Sequence, residues 1–353
     1  MTMVATDEIS VGVIGCGRSA VLDHLPAIAR LEGLFRVVAV CDVEKSRRDN
    51  VESMFPDVRH YRRAEDMVDD PDLDLVLVAT PTQEHDRIVL TCLSRRLWTV
   101  CETPLSPTHD GALVLRGASV KAGNRLVAAT PQMFSPEFRL ASIARARKKI
   151  GSLYDIRVRK GTYERRDDWQ ATTKRGGGAA FFAAQEPMLQ ALTLLKAPPV
   201  QMWSETKKLV ALGDAEDYVR VMFRSADGIT ADVEANSAVV GIGGPAIELR
   251  GTRGSFSVMP GATKGLYRII DPSQRFPHGR SSVALPPLKD TAEKIRIVEE
   301  ELELPDPMPA YEAFWRTVHS TVCNERGFPV DFDLLVEMSR YVGIVRKSAP
   351  IAI

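Results

Sequence analysis

The segment GVIGCGRSA, residues 12–20, constrains the fold of this 353-residue chain more than any other stretch. Gly15 and Gly17 follow an apolar, β-branched run and precede a helical pattern, and Ala20 takes the third position of a G-x-G-x-x-G/A spacing. Chemistry asks for small residues at each point. Gly15 permits a tight turn, Gly17 lets backbone approach a pyrophosphate, and a small residue at 20 keeps helix and strand close. The helix start beside them, with Arg18 and Ser19 in the same loop, attracts an anion. Asp42 closes the next apolar run, where an acid accepts ribose hydroxyls. The predicted ligand is a dinucleotide. Asp42 favours NAD(H), because a carboxylate repels a 2′-phosphate; Lys45, Arg47 and Arg48 follow at once and leave NADP(H) possible.

The rest of the first ~125 residues agrees with a sheet built around that turn. Short apolar runs at 11–15, 35–42, 73–80 and 98–102 lack polar–apolar alternation, as parallel strands buried on both faces do. Helical patterns at 21–31, 45–54, 83–94 and 110–121 separate them. Beyond this the grammar changes. A helix at 136–149 and a strand at 154–159 precede a polar loop ending in Gly176–Gly178, then a helix from about Pro187. Residues 217–236 read as a hairpin turning at Asp227–Gly228, and short strands continue to about 270. The expected fold class is therefore α/β. An N-terminal Rossmann doubly wound parallel sheet occupies 1–127, and an α+β domain with an open, largely antiparallel sheet occupies 128–353. A proline-rich stretch at 271–309 predicts a surface excursion, and a terminal helical region at 310–347 returns to the first domain.

Charge excludes some partners. Lys plus Arg equals Asp plus Glu, 46 each, so neither nucleic acid nor an anionic membrane is expected, only a small-molecule substrate. Cys16, Cys41, Cys92, Cys101 and Cys323 show no paired spacing, which argues against disulfides and a metal site. The first ten residues hold no apolar targeting core, and no run approaches ~18 apolar residues, so a cytoplasmic location is expected.

The segments GVIGCGRSAVLDHLPAI, VLVATPTQEH, WTVCETPLS, FSPEF, KKIGSLYDIRV, GGGAAFFAAQEPML, EDYVRVMFRSADG and IELRGTRGSFSV, in this order, resemble the glucose–fructose oxidoreductase / inositol dehydrogenase / MocA (Gfo/Idh/MocA) family. The resemblance implies a substrate cleft between the two domains and a homodimer or homotetramer formed through the C-terminal sheet. It also implies that Thr80, Pro81 and His85 flank the cofactor, and that Glu102, Thr103 and Pro104 occupy an E-K-P signature. The family's lysine there is Thr103 in this chain. A second element, usually D-x-x-x-H-x-x-D after glycines, reads Phe182, Glu186 and Leu189.

Those departures remove the usual acid–base groups, and a threonine hydroxyl does not ionise usefully near neutral pH. Replacement catalytic candidates are Thr103 itself, Tyr163 and Glu186. Glu186 precedes Pro187, so it reads equally as a helix-start residue that the dipole keeps ionised. Tyr163 reads also as packing. The loop from Arg165 to Arg175 reads equally as a recognition surface or a solvated charge run. Met133, Arg165, Trp169, Phe182 and Glu186 are the substrate candidates, and Met133, Phe182 and Leu189 suggest a less polar pocket.

Two readings stay open. One is an NAD(P)(H)-dependent reductase of an imine or ketone in a small biosynthetic intermediate; an iminium arrives protonated and needs a weaker acid. The other is a non-redox protein that keeps the cofactor while catalysing cyclisation, elimination or isomerisation, or that senses it.

Overall fold

The computed structural model describes residues 8–241, 243–275, 294–324 and 326–347 and the backbone of 351–352. Its first layer is a parallel six-stranded sheet. The strands are β1 (Ile9–Ile14), β2 (Phe35–Cys41), β3 (Arg59–Tyr61), β4 (Leu75–Val78), β5 (Trp98–Cys101) and β6 (Leu126–Ala128). They hydrogen-bond in the order β3-β2-β1-β4-β5-β6. Every residue of β1 and β4 is buried, which is why the sequence shows no alternation there. Helices α1 (Leu25–Arg30), α2 (Lys45–Met54), α3 (Ala64–Met67), α4 (His85–Ser94) and α5 (His109–Lys121) connect the strands. The order reverses between β1 and β4. Ligands of open α/β sheets bind outside the carboxyl ends of strands at such a point.

Local differences from the sequence expectation appear here, the added α3 and β6 among them. The helix after β1 opens with a π-turn, Ala20–His24, before α1 begins. The short strand β3 lies on a run too polar to be recognised in advance.

The second layer is a nine-stranded sheet among the described residues. It contains β7 (Leu153–Gly161), β8 (Pro199–Lys208), β9 (Tyr218–Ser225), β10 (Thr230–Asn236), β11 (Ile247–Gly251), β12 (Gly254–Val258), β13 (Lys264–Ile270), β14 (Ile297–Glu303) and β15 (Ile351–Ala352). Their order is β14-β13-β12-β11-β7-β10-β9-β8-β15, antiparallel except for β7/β10 and β8/β15. The β9–β10 hairpin turns where Asp227–Gly228 predicted, and Gly228 takes the positive φ of 86° that the turn needs. Helices α6 (Pro136–Arg147), α7 (Ala179–Phe182) and α8 (Gln185–Leu195) cover one face. Ile156, Val158, Val221, Phe223, Leu249 and Phe256 are buried on this sheet and join Leu189 and Leu192 of α8 in one core.

The proline-rich stretch is not wholly an excursion. Ile297–Glu303 pairs with β13 as the outermost strand, its polar residues tolerated because one edge faces solvent; residues 276–293 of that stretch lie outside the described residues. The terminal region divides into α9 (Ala310–Asn324) and α10 (Phe332–Val345). Phe314, Trp315 and Val318 of α9 are buried in the core of the first sheet with Leu25, Ile28 and Phe35. Helix α10 packs on α5 and α8. No helix among the described residues is long and apolar enough to cross a membrane.

Candidate active-site cleft

A cleft of about 1120 Å³ runs from the carboxyl ends of β1, β2 and β4 to the ends of β7 and β10. Gly15, Gly17, Arg18 and Ser19 form its floor at the first sheet. Gly15 has φ 91°, and a Cβ there would sit 2.5 Å from the Ala79 carbonyl oxygen, so only glycine fits. A Cβ at Gly17 would meet nothing within 4 Å. The backbone at Gly17 therefore opens onto free space, as a pyrophosphate cradle requires. Ala20 is buried beneath the loop and supports it rather than lining the cleft.

Asp42 lines the adenosine-side wall but is buried. Its Oδ2 accepts the Cys16 N–H at 3.0 Å and its Oδ1 the Glu44 N–H at 2.9 Å. Arg47 Nη1 lies 3.8 Å from Oδ2. A carboxylate has about four lone-pair sites, so capacity for ribose hydroxyls remains. Arg62 and Arg63, at the end of β3, add positive charge to this wall.

Beyond the glycines stand Thr80, Pro81, His85, Glu102 and Thr103. Thr80 Oγ1 is buried without a hydrogen-bond partner among the described residues. An orphaned hydroxyl, an open glycine cradle and a ribose-facing acid suit a bound dinucleotide. His85 lines the cleft and also has a structural role. Its Nδ1 lies 2.8 Å from the Pro104 carbonyl oxygen and its Nε2 2.9 Å from that of Thr80. Both ring nitrogens thus face carbonyl oxygens, and the single N–H of a neutral imidazole donates to one of the two, tying His85 to the strand-end segments beside the cleft. Burial pushes the imidazole's pKa down, against the pull of the two carbonyls.

Two side chains, one of them anchored by a third, organise Glu102. Its Oε1 accepts from Ser19 Oγ and lies 3.0 Å from His24 Nε2. Trp315 Nε1 donates to His24 Nδ1 at 3.1 Å. An indole can only donate, so Nδ1 is the acceptor and Nε2 carries the proton given to Glu102. Burial pushes Glu102 upward, yet His24 and Ser19 outweigh it and hold the carboxyl below its usual range.

The opposite wall carries Lys160, Thr162, Asn236, Ser237, Phe182 and Glu186, and Tyr311 enters from α9. Glu186 is the second residue of α8, with Ala184 at the cap position, so it does not cap its own helix. Its Oε1 accepts the Gln132 N–H at 3.1 Å. Burial pushes its pKa up to about 7, against the downward pull of Lys160 and that hydrogen bond. Glu186 does stand in the first helical turn, one of its two sequence readings, but desolvation raises its carboxyl where the dipole would lower it. Burial, with Glu102, Glu186 and Asp23 nearby, pushes the Tyr311 phenol up as well, so it is a neutral donor. Phe182 meets Trp169 edge to face at 5.0 Å, and both line the cleft.

Several expected site residues fall elsewhere. Tyr163 is 56% exposed, bridges to Ala238 and does not line the cleft. Arg165 is exposed away from it, while its neighbours Glu164, Arg166 and Asp168 reach it. Met133 and Leu189 are buried core residues. Phe182 and Trp169 supply the apolar part of the lining instead, facing a polar set made of Lys160, Thr162, Asn236 and Ser237, so the pocket is mixed in character. Sequence reasoning passed over Asp23, His24, Lys160, Asn236 and Tyr311. Lys160 had a signal, since it shares the alternating phase of Ile156 and Val158; Tyr311 had none.

Comparison with known proteins agrees with this geometry. The family model described as "Oxidoreductase family, NAD-binding Rossmann fold" (GFO_IDH_MocA) matches residues 9–130, and the GFO/IDH/MocA C-terminal domain matches residues 138–257. An oxidoreductase of Schizosaccharomyces pombe is 24% identical over 259 residues, 70% of this chain and 69% of that one. An inositol 2-dehydrogenase of Acidothermus cellulolyticus is 34% identical over 125 residues, 35% of this chain and 36% of that one. Among solved structures, GenD2 from gentamicin A biosynthesis, in complex with NAD, superposes with TM-score 0.77 at 19% identity, covering 98% of this chain and 95% of that one. An NAD-binding protein from Listeria innocua gives TM-score 0.77 at 17% identity, covering 97% of this chain and 94% of that one.

Proposed function

The chain belongs to the Gfo/Idh/MocA oxidoreductase family, and we propose that its cleft reduces an imine or ketone of a small biosynthetic intermediate, with Glu186 as the proton donor. When bound, the nicotinamide cofactor supplies the hydride. Gly15, Gly17, Arg18 and Ser19 would hold its pyrophosphate, Asp42 its adenosine ribose, and Thr80, Glu102 and Thr103 its nicotinamide half.

One observation carries the reading. A carboxyl with a pKa near 7 lines the same cleft as the open glycine cradle. Proton donors work best when their pKa lies near the working pH, and such help is worth ~10²–10⁴-fold in rate. Thr103 stands at the end of β5, where it can hydrogen-bond but not ionise. An imine lightens that demand, because as an iminium it brings its own proton. The inner cleft also favours a cation: it holds the carboxyl groups of Asp23, Glu102 and Glu186 against the ammonium of Lys160. NAD(H) is the preferred cofactor on account of Asp42, and the NAD complex of GenD2 supports a dinucleotide in this fold. Assembly as a homodimer or homotetramer through the open face of the second sheet is part of the same proposal.

The test begins with fluorescence titration of the protein with NADH and NADPH. Oxidation of the bound form is then followed against a panel of ketones and cyclic imines, for the wild type and Glu186→Gln. Turnover of a ketone that falls by at least ~100-fold in the variant, with a smaller fall for an imine, supports the reading. Tight NADH binding with no oxidation by any panel member would leave a non-redox role in its place.

A further inference from the structure

We propose that Lys160 is the positioning cation of this site: it shares the inner cleft with Glu186 and offsets the carboxylate left when Glu186 gives up its proton. This inference rests on the reading of Glu186 as proton donor.

Strand geometry puts Lys160 there. Side chains alternate across a strand, so Ile156, Val158 and Lys160 of β7 share one face. The first two are buried in the core against which α8 packs. Lys160 continues that row past the core and into the cleft, and Glu186 stands in the first turn of α8 on the same side. Lys160 pairs with Ala235 of β10, and the next residue of that strand, Asn236, lines the cleft beside it.

Charge accounting singles it out. Arg18 is 3.5 Å from Glu164, and Arg166 is held by Glu164 and Asp168. Arg47 approaches Asp42, Arg63 approaches Glu65, and Arg87 is tied to Glu65 and Glu84. Arg62 is at the adenosine end. Among the described residues Lys160 has no ion pair, and its charge favours the ionised forms of both Glu186 and Asp23, as His24 does.

The chemistry needs such a group. In a reductive turnover the O–H bond of Glu186 would break and its proton would go to the substrate oxygen, or to an imine nitrogen that arrives unprotonated, while the nicotinamide cofactor, when bound, would supply the hydride to the adjacent carbon. The carboxylate that remains shares the cleft with ionised Glu102 and is later reprotonated from water. Two carboxylates sharing one cleft repel, and the ammonium of Lys160, on the wall that also carries Glu186, lowers that cost.

The experiment is a ¹³C NMR titration of the full chain with ¹³Cδ-labelled glutamate, the Glu186 signal being assigned by its loss in Glu186→Gln. The groups facing Glu186 are Lys160, Glu102, His24, Tyr311 and the Gln132 N–H. Removing the ammonium by Lys160→Met, or by Lys160→Gln as a second variant, should raise the Glu186 midpoint by about one unit, a tenfold change in proton affinity. Lys160→Arg should restore it. A Glu186 midpoint equal to wild type in folded Lys160→Met and Lys160→Gln would overturn the proposal. NADH binding is measured in the same samples. Its absence from wild type would sink the redox reading while the titration still decides the Lys160–Glu186 coupling.

Discussion

The indole of Trp315 and the imidazole of His24, 291 positions apart in the chain, are joined by a hydrogen bond of 3.1 Å from Nε1 to Nδ1. That bond sets the tautomer of a fully buried histidine and aims its remaining proton at Glu102. A helix near the end of the chain thus organises the acid that lies beside the cofactor cradle.

Trp315→Phe keeps an aromatic ring in the α9 cluster but leaves Nδ1 without its donor. A buried, unsatisfied acceptor costs ~1–3 kcal/mol, and loosening of His24 should also lower NADH affinity. Urea unfolding and fluorescence titration measure the two effects. If both are unchanged, the bond does not hold the site together.

Gly17→Val should abolish NADH binding while leaving stability near that of the wild type, because a Cβ at 17 enters open space. Gly15→Ala should behave differently. It collides with the Ala79 carbonyl and demands a positive φ, so it should lower the melting temperature outright. Equal NADH affinity in Gly17→Val and wild type would rule out the cradle.

Asp42→Ala should weaken NADH binding and narrow the gap between NADH and NADPH. With the carboxylate gone, Arg47 and Arg62 would be free to meet a 2′-phosphate. Competition titrations give the ratio directly. Tighter binding of NADPH than NADH by the wild type would reverse the assignment.

Glu186 makes stability depend on pH in a defined direction. Its pKa rises from 4.5 to about 7 on folding, so the unfolded chain loses this proton first. Stability therefore falls as pH rises through that window, and the penalty is complete above it. Glu186→Gln should be more stable than wild type at pH 8, by at most about 3 kcal/mol, and gain nothing at pH 4. Urea unfolding at the two values decides it; an equal gain at both would show that burial does not control the carboxyl.

Much of this protein was legible in the chain itself, for local reasons. Gly15 and Gly17 announce their turn because backbone freedom and a missing Cβ are properties of the residue. The buried runs of β1 and β4 announce a parallel sheet because burial on both faces abolishes alternation, and Asp227–Gly228 announces its hairpin through turn geometry. The proton chemistry was not legible in this way. Whether Glu186 is ionised depends on how much water surrounds it, and that is decided by the closure of two layers around the cleft. Tyr311, Trp315 and His24 converge only when α9 packs back on the first sheet. Met133 and Leu189 read as pocket residues until packing buried them, and Tyr163 read as packing or as a donor until the segment after β7 turned it outward. Sequence determines which residues can do chemistry; desolvation and long-range convergence, which exist only in the folded chain, decide which of them do.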